Sequence, residues 1–397
     1  RDVAPSRGLG DVYKRQGYIG IHTDATDRKG YRIALNNDRE DPVWWRMTGS
    51  LVSVRNLTKS FVKENEWFKM NIRVEGRLVR VRINGETVVE YIEPSKPFRL
   101  KENAKALLSQ GTISLVGTGR GNLQFKNISL EAFSAKGIDI PAQWANAVDE
   151  RTDEIIRLHQ EDFPVLDYHV HLKGGLTKEV AARQSRQTGV NYGLAINCGI
   201  GFSITNDTEL YNYLDTMCTQ PFILAMQAEG REWVTTFSEA ARNSFDYVFT
   251  DAMTFLDHKG RRTHLWVNKE VIIDDEQAYM DMMLDRICSV LEEPVDMYVN
   301  SCFLPDAMSD RYDMFWTEER IDRFVNALAK SGKALEINEL YHIPNKAIIQ
   351  KAKAAGVKFT FGSNNITPEV GTLDYCIRMK KECGLTAQDM YKPHINI

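Results

Sequence analysis

The run Asp167-Tyr168-His169-Val170-His171 holds the residue types and spacing most suited to chemistry in this chain. Alternate residues of a strand point to one side, so a strand here puts both imidazoles and Asp167 on a single face. Two neutral imidazoles so placed can share a divalent metal ion, leaving positions for carboxylates and water. Asp167 could then hold a ring N–H from behind. A His-x-His pair also arises by chance on surface and core strands, so its position in the fold decides between the two readings.

The elements that would position this pair run from Pro164 to the C-terminus. VLDYHVH, YGLAINC, FILAMQAE, FDYVFTD, VDMYVN, ALEIN and KFTFGS read as strands. Between them, TKEVAARQSRQTG, DDEQAYMDMMLDRICSVLEE, TEERIDRFVNALAKSG and PNKAIIQKAKAAG read as helices, several closed by glycine. Alternating strands and helices predict a parallel, TIM-like (β/α) barrel of seven strands over 164–397, with its site at the strand C-terminal ends. An open doubly wound sheet is the alternative, although no glycine-rich phosphate loop follows the first strand. The remaining strand ends carry Asn197-Cys198, Glu229, Asp251, Asn300, Glu336-Ile337-Asn338 and Ser363-Asn364-Asn365. Packing does not account for so many polar groups at one end, because an orphan carboxylate there is costly. Convergence on a cation accounts for them; a metal-free hydrogen-bonded network is the alternative.

Residues 17–133 read differently, as short strands without intervening helices, which predicts an antiparallel sandwich. In VRVRINGETVVEY, Val79, Val81 and Ile83 alternate with Arg80 and Arg82 before Asn84-Gly85. An Asn-Gly pair between alternating runs marks a tight hairpin. GYIGIHT, YRIAL, EWFKMNIRV, GTISLVG and LQFKNISLEAF are the other candidate strands. Residues 134–163 are expected to form a linker helix, with Pro141 near its start and Trp144, Val148, Ile155 and Leu158 on one face. Residues 1–16 lack helical or strand periodicity, begin without Met, and are set aside as a non-native junction segment.

Bulk properties set outer bounds. The 397 residues suit two domains, and a net charge of −4 gives no reason to expect nucleic acid or an anionic membrane as a partner. No apolar run is long enough to span a bilayer. The six cysteines make no C-x-x-C pair and read as buried small hydrophobes.

Two resemblances follow from these motifs. EWFKMNIRVEGRLVRVRINGETVVEY followed by GTISLVGTGRGNLQFKNISL resembles the lectin-like jelly roll of the 3-keto-disaccharide hydrolase family. That resemblance implies a carbohydrate-associated domain, frequent in exported bacterial proteins, and so a periplasmic or extracellular location. The family's opening strands have no counterpart here, which implies a truncated sandwich. VLDYHVHLKGGLT, QAEG, ALEINE and GVKFTFGSNN resemble, in order, strand-end motifs of the PHP family of metal-dependent phosphoesterases. This second resemblance implies a seven-stranded barrel and places a metal-ligand role on Glu229. The chain departs from that family at Ile196-Asn197-Cys198, where it has Thr-Asp-His. It departs again at Asn364, Asn365 and Ile366, where the family has Asp, Ala and His. A three-metal cluster is therefore not expected.

The resulting expectation is one divalent ion (Zn, Mn or Fe) held by His169, His171 and Glu229, with Asp251 and Asn364 as further candidate ligands. Asp251, if not a ligand, is the nearest candidate general base. Arg231 could clamp an anionic substrate or pair with Glu232. His264, in the loop HKGRRTHLW, could reach the site as acid or ligand, or could belong to a solvated basic cluster. Lys173, Asn197, Asn300, Asn338 and Asn365 are the candidate substrate contacts. The function expected is hydrolysis of a carbohydrate-related small molecule, with a phosphoester among the candidates, by metal-activated water. The rival is a catalytically silent carbohydrate-binding protein with a degenerate barrel.

Overall fold

The computed structural model describes residues 16–63, 65–118, 123–132, 149–257 and 259–395. By contact density the chain divides into two units, residues 1–165 with 182–191, and residues 166–181 with 192–397.

The first unit holds two three-stranded antiparallel sheets. One pairs β1 (Gln16–Thr23) with β2 (Tyr31–Leu35) and β6 (Thr112–Thr118). The other is the meander β3 (Met70–Glu75), β4 (Leu78–Ile83), β5 (Glu86–Ile92). Both give residues to one apolar core: Ile21, Tyr31 and Ile33 from the first sheet, Val79, Val81, Ile83, Val89 and Tyr91 from the second. The β4–β5 turn is the expected one. Asn84 (φ +52°) and Gly85 (φ +97°) both take positive φ, the geometry a two-residue hairpin turn needs.

One expected strand is absent. Residues 123–132 of LQFKNISLEAF form no strand, and Ile128 and Leu130 stay 70% and 81% exposed. A strand needs a partner edge, and among the described residues none takes this segment up. Of the expected linker helix, Glu154–Gln160 is helical, capped by the Asp153 side chain on Ile155 N and Ile156 N. Pro141, Trp144 and Val148 lie outside the described residues, as do residues 1–15 and His258.

In the second unit, seven parallel strands close into a barrel. They are β7 (Leu166–Val170), β8 (Asn191–Cys198), β9 (Ile223–Ala228), β10 (Tyr247–Thr250), β13 (Met297–Tyr298), β14 (Ala334–Asn338) and β15 (Phe359–Gly362). They neighbour one another in chain order, with β15 returning to β7. Each of the seven expected strands is present, so the open doubly wound alternative does not hold. Helices between them bury apolar stripes, as in Glu318–Ser331, where Ile321, Phe324, Val325 and Leu328 are buried. The loop expected after β10 instead folds into a hairpin, β11 (Thr254–Leu256) with β12 (Arg262–His264). Runs of three residues are too short for periodicity to reveal.

Candidate metal centre at the strand ends

Strand β7 is buried along its whole length, and His169 and His171 project to one side. The His169 Nε2 and His171 Nε2 atoms stand 3.1 Å apart, and Gln227 Oε1 of β9 lies 3.2 Å from His169 Nε2. Both rings are fixed from behind. His169 Nδ1 lies 2.6 Å from Glu336 Oε1, and His171 Nδ1 lies 3.0 Å from the Ala195 carbonyl. A carbonyl only accepts, so His171 Nδ1 carries the proton and its Nε2 presents a lone pair. Burial holds the His171 imidazole well below its usual range, in the neutral form. With Nδ1 donating to Glu336, a neutral His169 also presents its Nε2 lone pair. Two lone pairs facing each other at 3.1 Å repel unless a cation lies between them or one ring takes a second proton.

The support behind these rings is dense. Glu336, fully buried, accepts at Oε2 from Asn300 N (2.7 Å) and Asn338 Nδ2 (2.9 Å). Phe249 walls the His169 ring at 4.6 Å. Gly362 is required where it stands: a Cβ there would fall 2.2 Å from Glu336 Oε1 and 2.8 Å from His169 Cβ. Asn365 clamps the His171 backbone, accepting from its N–H (2.7 Å) and donating to its carbonyl (2.9 Å). Asp167 Oδ1 accepts from Ser363 N and His169 N, while its Oδ2 is buried without a partner. Burial raises its carboxyl to about 6.

The other carboxylates are engaged by amides. Glu229 Oε1 accepts from Asn197 Nδ2 (2.7 Å). Asp251 accepts from Asn300 Nδ2 (2.8 Å) and Met253 N (2.9 Å). Asn300 Oδ1 in turn accepts from Asn338 Nδ2 and Asn364 Nδ2. Burial, and then the neighbouring charge of Asp251, push the Glu229 carboxyl up to about 8; burial raises Asp251 as well. Burial lowers Lys173, against the pull of the Glu229 charge.

The sequence-predicted site residues therefore fall into groups. His169 and His171 meet each other and Gln227, whereas Glu229 and Asn197 pair together. Asp251, Asn338 and Asn364 meet through Asn300. Among the described residues, no group of three or more His, Cys, Asp or Glu side chains is arranged to hold a metal. Arg231 does not pair through its side chain with Glu232; it donates to Glu293, to Thr250 Oγ1 and to the Asp251 carbonyl. His264 sits 2.6 Å from Glu270. Gln227 was missed by the sequence reading. It stands two residues before Glu229, in phase with it, and the alternation of β9 was the signal that could have found it.

A metal ion is implied by the barrel's resemblance, and the donors at hand are two imidazole nitrogens and an amide oxygen. Their 3.1–3.2 Å spacings are near those set by one ion with metal–nitrogen bonds of about 2.0–2.1 Å. The set fits a single ion and offers no bridging carboxylate for a cluster.

Residues 10–131 match the model of the 3-keto-alpha-glucoside-1,2-lyase-like domain. This is the family the N-terminal strands resemble. No curated protein matches the chain. A solved structure similar to it is the histidinol phosphate phosphatase of Lactococcus lactis subsp. lactis Il1403, complexed with zinc, L-histidinol and phosphate. It is 13% identical, covers 56% of this chain and 94% of that one, and has a TM-score of 0.39. Among the described residues, no helix is long and apolar enough to cross a membrane.

Proposed function

We propose that the barrel is a hydrolase dependent on one divalent ion held by His169 and His171, acting on a carbohydrate-related small molecule. The observation that carries this is the pair of Nε2 atoms 3.1 Å apart with both Nδ1 atoms held by acceptors. An ion bound there would supply a water of lowered pKa. The chain's own residues do the rest. Glu336 and the Ala195 carbonyl orient the two rings, and Asn365 fixes the backbone of His171. Asp251, buried and raised, would take up a proton during the reaction, while the Asn300 amide holds its Oδ2 in place. Glu229, with Lys173 as charged neighbour, stands by as a further oxygen ligand or as a proton donor. Lys173, Asn197 and the half-buried Asn364 would meet the substrate's hydroxyls; Asn300, Asn338 and Asn365, expected there from the sequence, are buried and spent on Asp251, Glu336 and the His171 backbone. The match of residues 10–131 to a domain named for keto-glucoside chemistry supports a sugar-derived substrate, and the barrel's resemblance supports a phosphoester.

The test is a panel of phosphoesters, carboxyl esters and glycosides assayed with Zn, Mn and Fe, beside a His169→Ala, His171→Ala control. Metal-dependent turnover lost in the control supports the reading; metal-independent turnover kept in the control sinks it.

A second reading, a silent carbohydrate-binding protein, is favoured by one observation. The carboxylates able to complete a metal shell, Glu229 and Asp251, are engaged by Asn197 and Asn300. Tight glycan binding with no turnover under any metal would select it.

A further inference from the structure

The ends of four consecutive barrel strands, β14, β15, β7 and β8, each lead into an exposed apolar side chain. These are Tyr341, Ile366, Leu172 and Ile200, between 37% and 66% exposed. Single exposed apolar residues are ordinary on a protein surface. These four are not scattered, because neighbouring strands lie about 4.8 Å apart and the segments beyond them are laced together. Glu339 N donates to the Gly362 carbonyl (2.8 Å), joining the end of β14 to that of β15. Asn364 N donates to the His169 carbonyl (2.8 Å), and a Cβ on Gly174 would fall 2.6 Å from the Ile366 carbonyl oxygen. The segments after β15 and β7 therefore touch. The four side chains form an apolar arc along one side of the barrel mouth.

The arc is continuous with the histidine pair. Leu172 directly follows His171, and Ile366 directly follows Asn365, whose amide clamps the His171 backbone. Tyr341 reaches toward the same centre. Its N–H is pinned by Asn338 Oδ1 (3.0 Å), and Phe303 packs edge-on to its ring at 4.8 Å. The charges of Asp251 and Glu336 add to burial in raising its phenol. The other side of the mouth differs. The segments directly after β9 and β10 carry Glu229, Arg231, Glu232 and Asp251. Lys173, beside Leu172, is within reach of the Glu229 charge.

We infer that the substrate of this centre is amphipathic: a sugar-derived molecule whose hydroxyls face the β9–β10 side and whose apolar substituent, of ring size, is seated on Tyr341, Ile366, Leu172 and Ile200. This rests on the histidine pair being the reacting centre. An apolar group there takes out of water a surface that the fold leaves open. Four side chains are well below the roughly 800 Å² that each partner gives to a stable protein interface. Continuity with the histidines favours a group on the molecule bound between them and the arc.

The experiment is calorimetric titration of the full chain, chelator-treated and zinc-loaded, with phenyl glucoside and methyl glucoside. Wild type is compared with Tyr341→Ser, Ile366→Ser and the double variant. Phenyl glucoside is expected to bind roughly tenfold more tightly than methyl glucoside in wild type, and about twofold more tightly in the double variant. The ratio of the two reads the arc with or without zinc, whereas turnover and its zinc dependence read the hydrolase, so each can fail alone. Equal affinity for the two glucosides, a preference unaltered in the folded double variant, or no binding of either at millimolar concentration would overturn the inference. So would a dimer that Ile366→Ser dissociates, or binding to phosphatidylcholine vesicles that Ile366→Ser abolishes; these would assign the arc to a second copy or to a lipid surface.

Discussion

At the proposed metal site, the two histidines are positioned by the residues behind them, Glu336 foremost. Its carboxylate holds the His169 ring at 2.6 Å and is itself held by Asn300 N and Asn338 Nδ2. Glu336→Gln keeps the shape but removes the charge that orients the ring. Zinc affinity is expected to fall about 10–100-fold, read by competition with a chelating dye; unchanged affinity would remove Glu336 from the account. Gly362→Ala forces a Cβ against Glu336 Oε1 and His169 Cβ. It should cost about 1–3 kcal/mol in denaturant unfolding and weaken metal binding in parallel. At this scale the sequence was legible where alternation applied, and opaque where contacts cross the barrel. His169 and His171 follow from i, i+2 spacing on one strand. The pairing of Glu229 with Asn197, and of Asp251 with Asn300, depends on which amide reaches across from a neighbouring strand. Spacing along the chain carries no information on that choice.

Elements were easier to read than their partners. The seven barrel strands and the Asn84-Gly85 hairpin follow from period and turn chemistry, because each is decided within a few residues. Gly85 has φ +97° and open space around its Cα, so Gly85→Ala isolates backbone strain from crowding. A loss of about 1–2 kcal/mol is expected, measured by chemical denaturation of the first unit's signal; a neutral result would show that the turn relaxes. LQFKNISLEAF has the composition of a strand yet finds no edge among the described residues. Strand formation is a two-body event, and the second body was not visible in its sequence. The β11–β12 hairpin was missed for the opposite reason: its strands are three residues each, paired through Thr254, Phe255 and Leu256.

For the molecule as a whole, pH is the most direct probe of the buried charge in the first unit. His159 is fully buried, and burial, then the Arg55 charge, hold its pKa down to about 3. Its Nε2 donates to the Gly189 carbonyl at 2.9 Å, while Nδ1 is buried without a partner. The unfolded chain takes up a proton near pH 6.5, and the folded one does not until about 3. Between those values the unfolded state binds more protons, so stability falls as pH is lowered through that window. Because the raised carboxyls of Glu229 and Asp167 act in the opposite sense over the same range, the test is a difference: the thermal midpoint of His159→Gln should rise relative to wild type as pH falls from 6.5 to 4, and a difference that does not change with pH would remove His159 from the account. Everything proposed for the barrel rests on one divalent ion between His169 and His171. Plasma mass spectrometry of the purified chain, beside the His169→Ala, His171→Ala variant, reads its presence. About one equivalent of Zn, Mn or Fe is expected, lost in the variant. No bound metal after reconstitution, or equal metal in a folded variant, would contradict it.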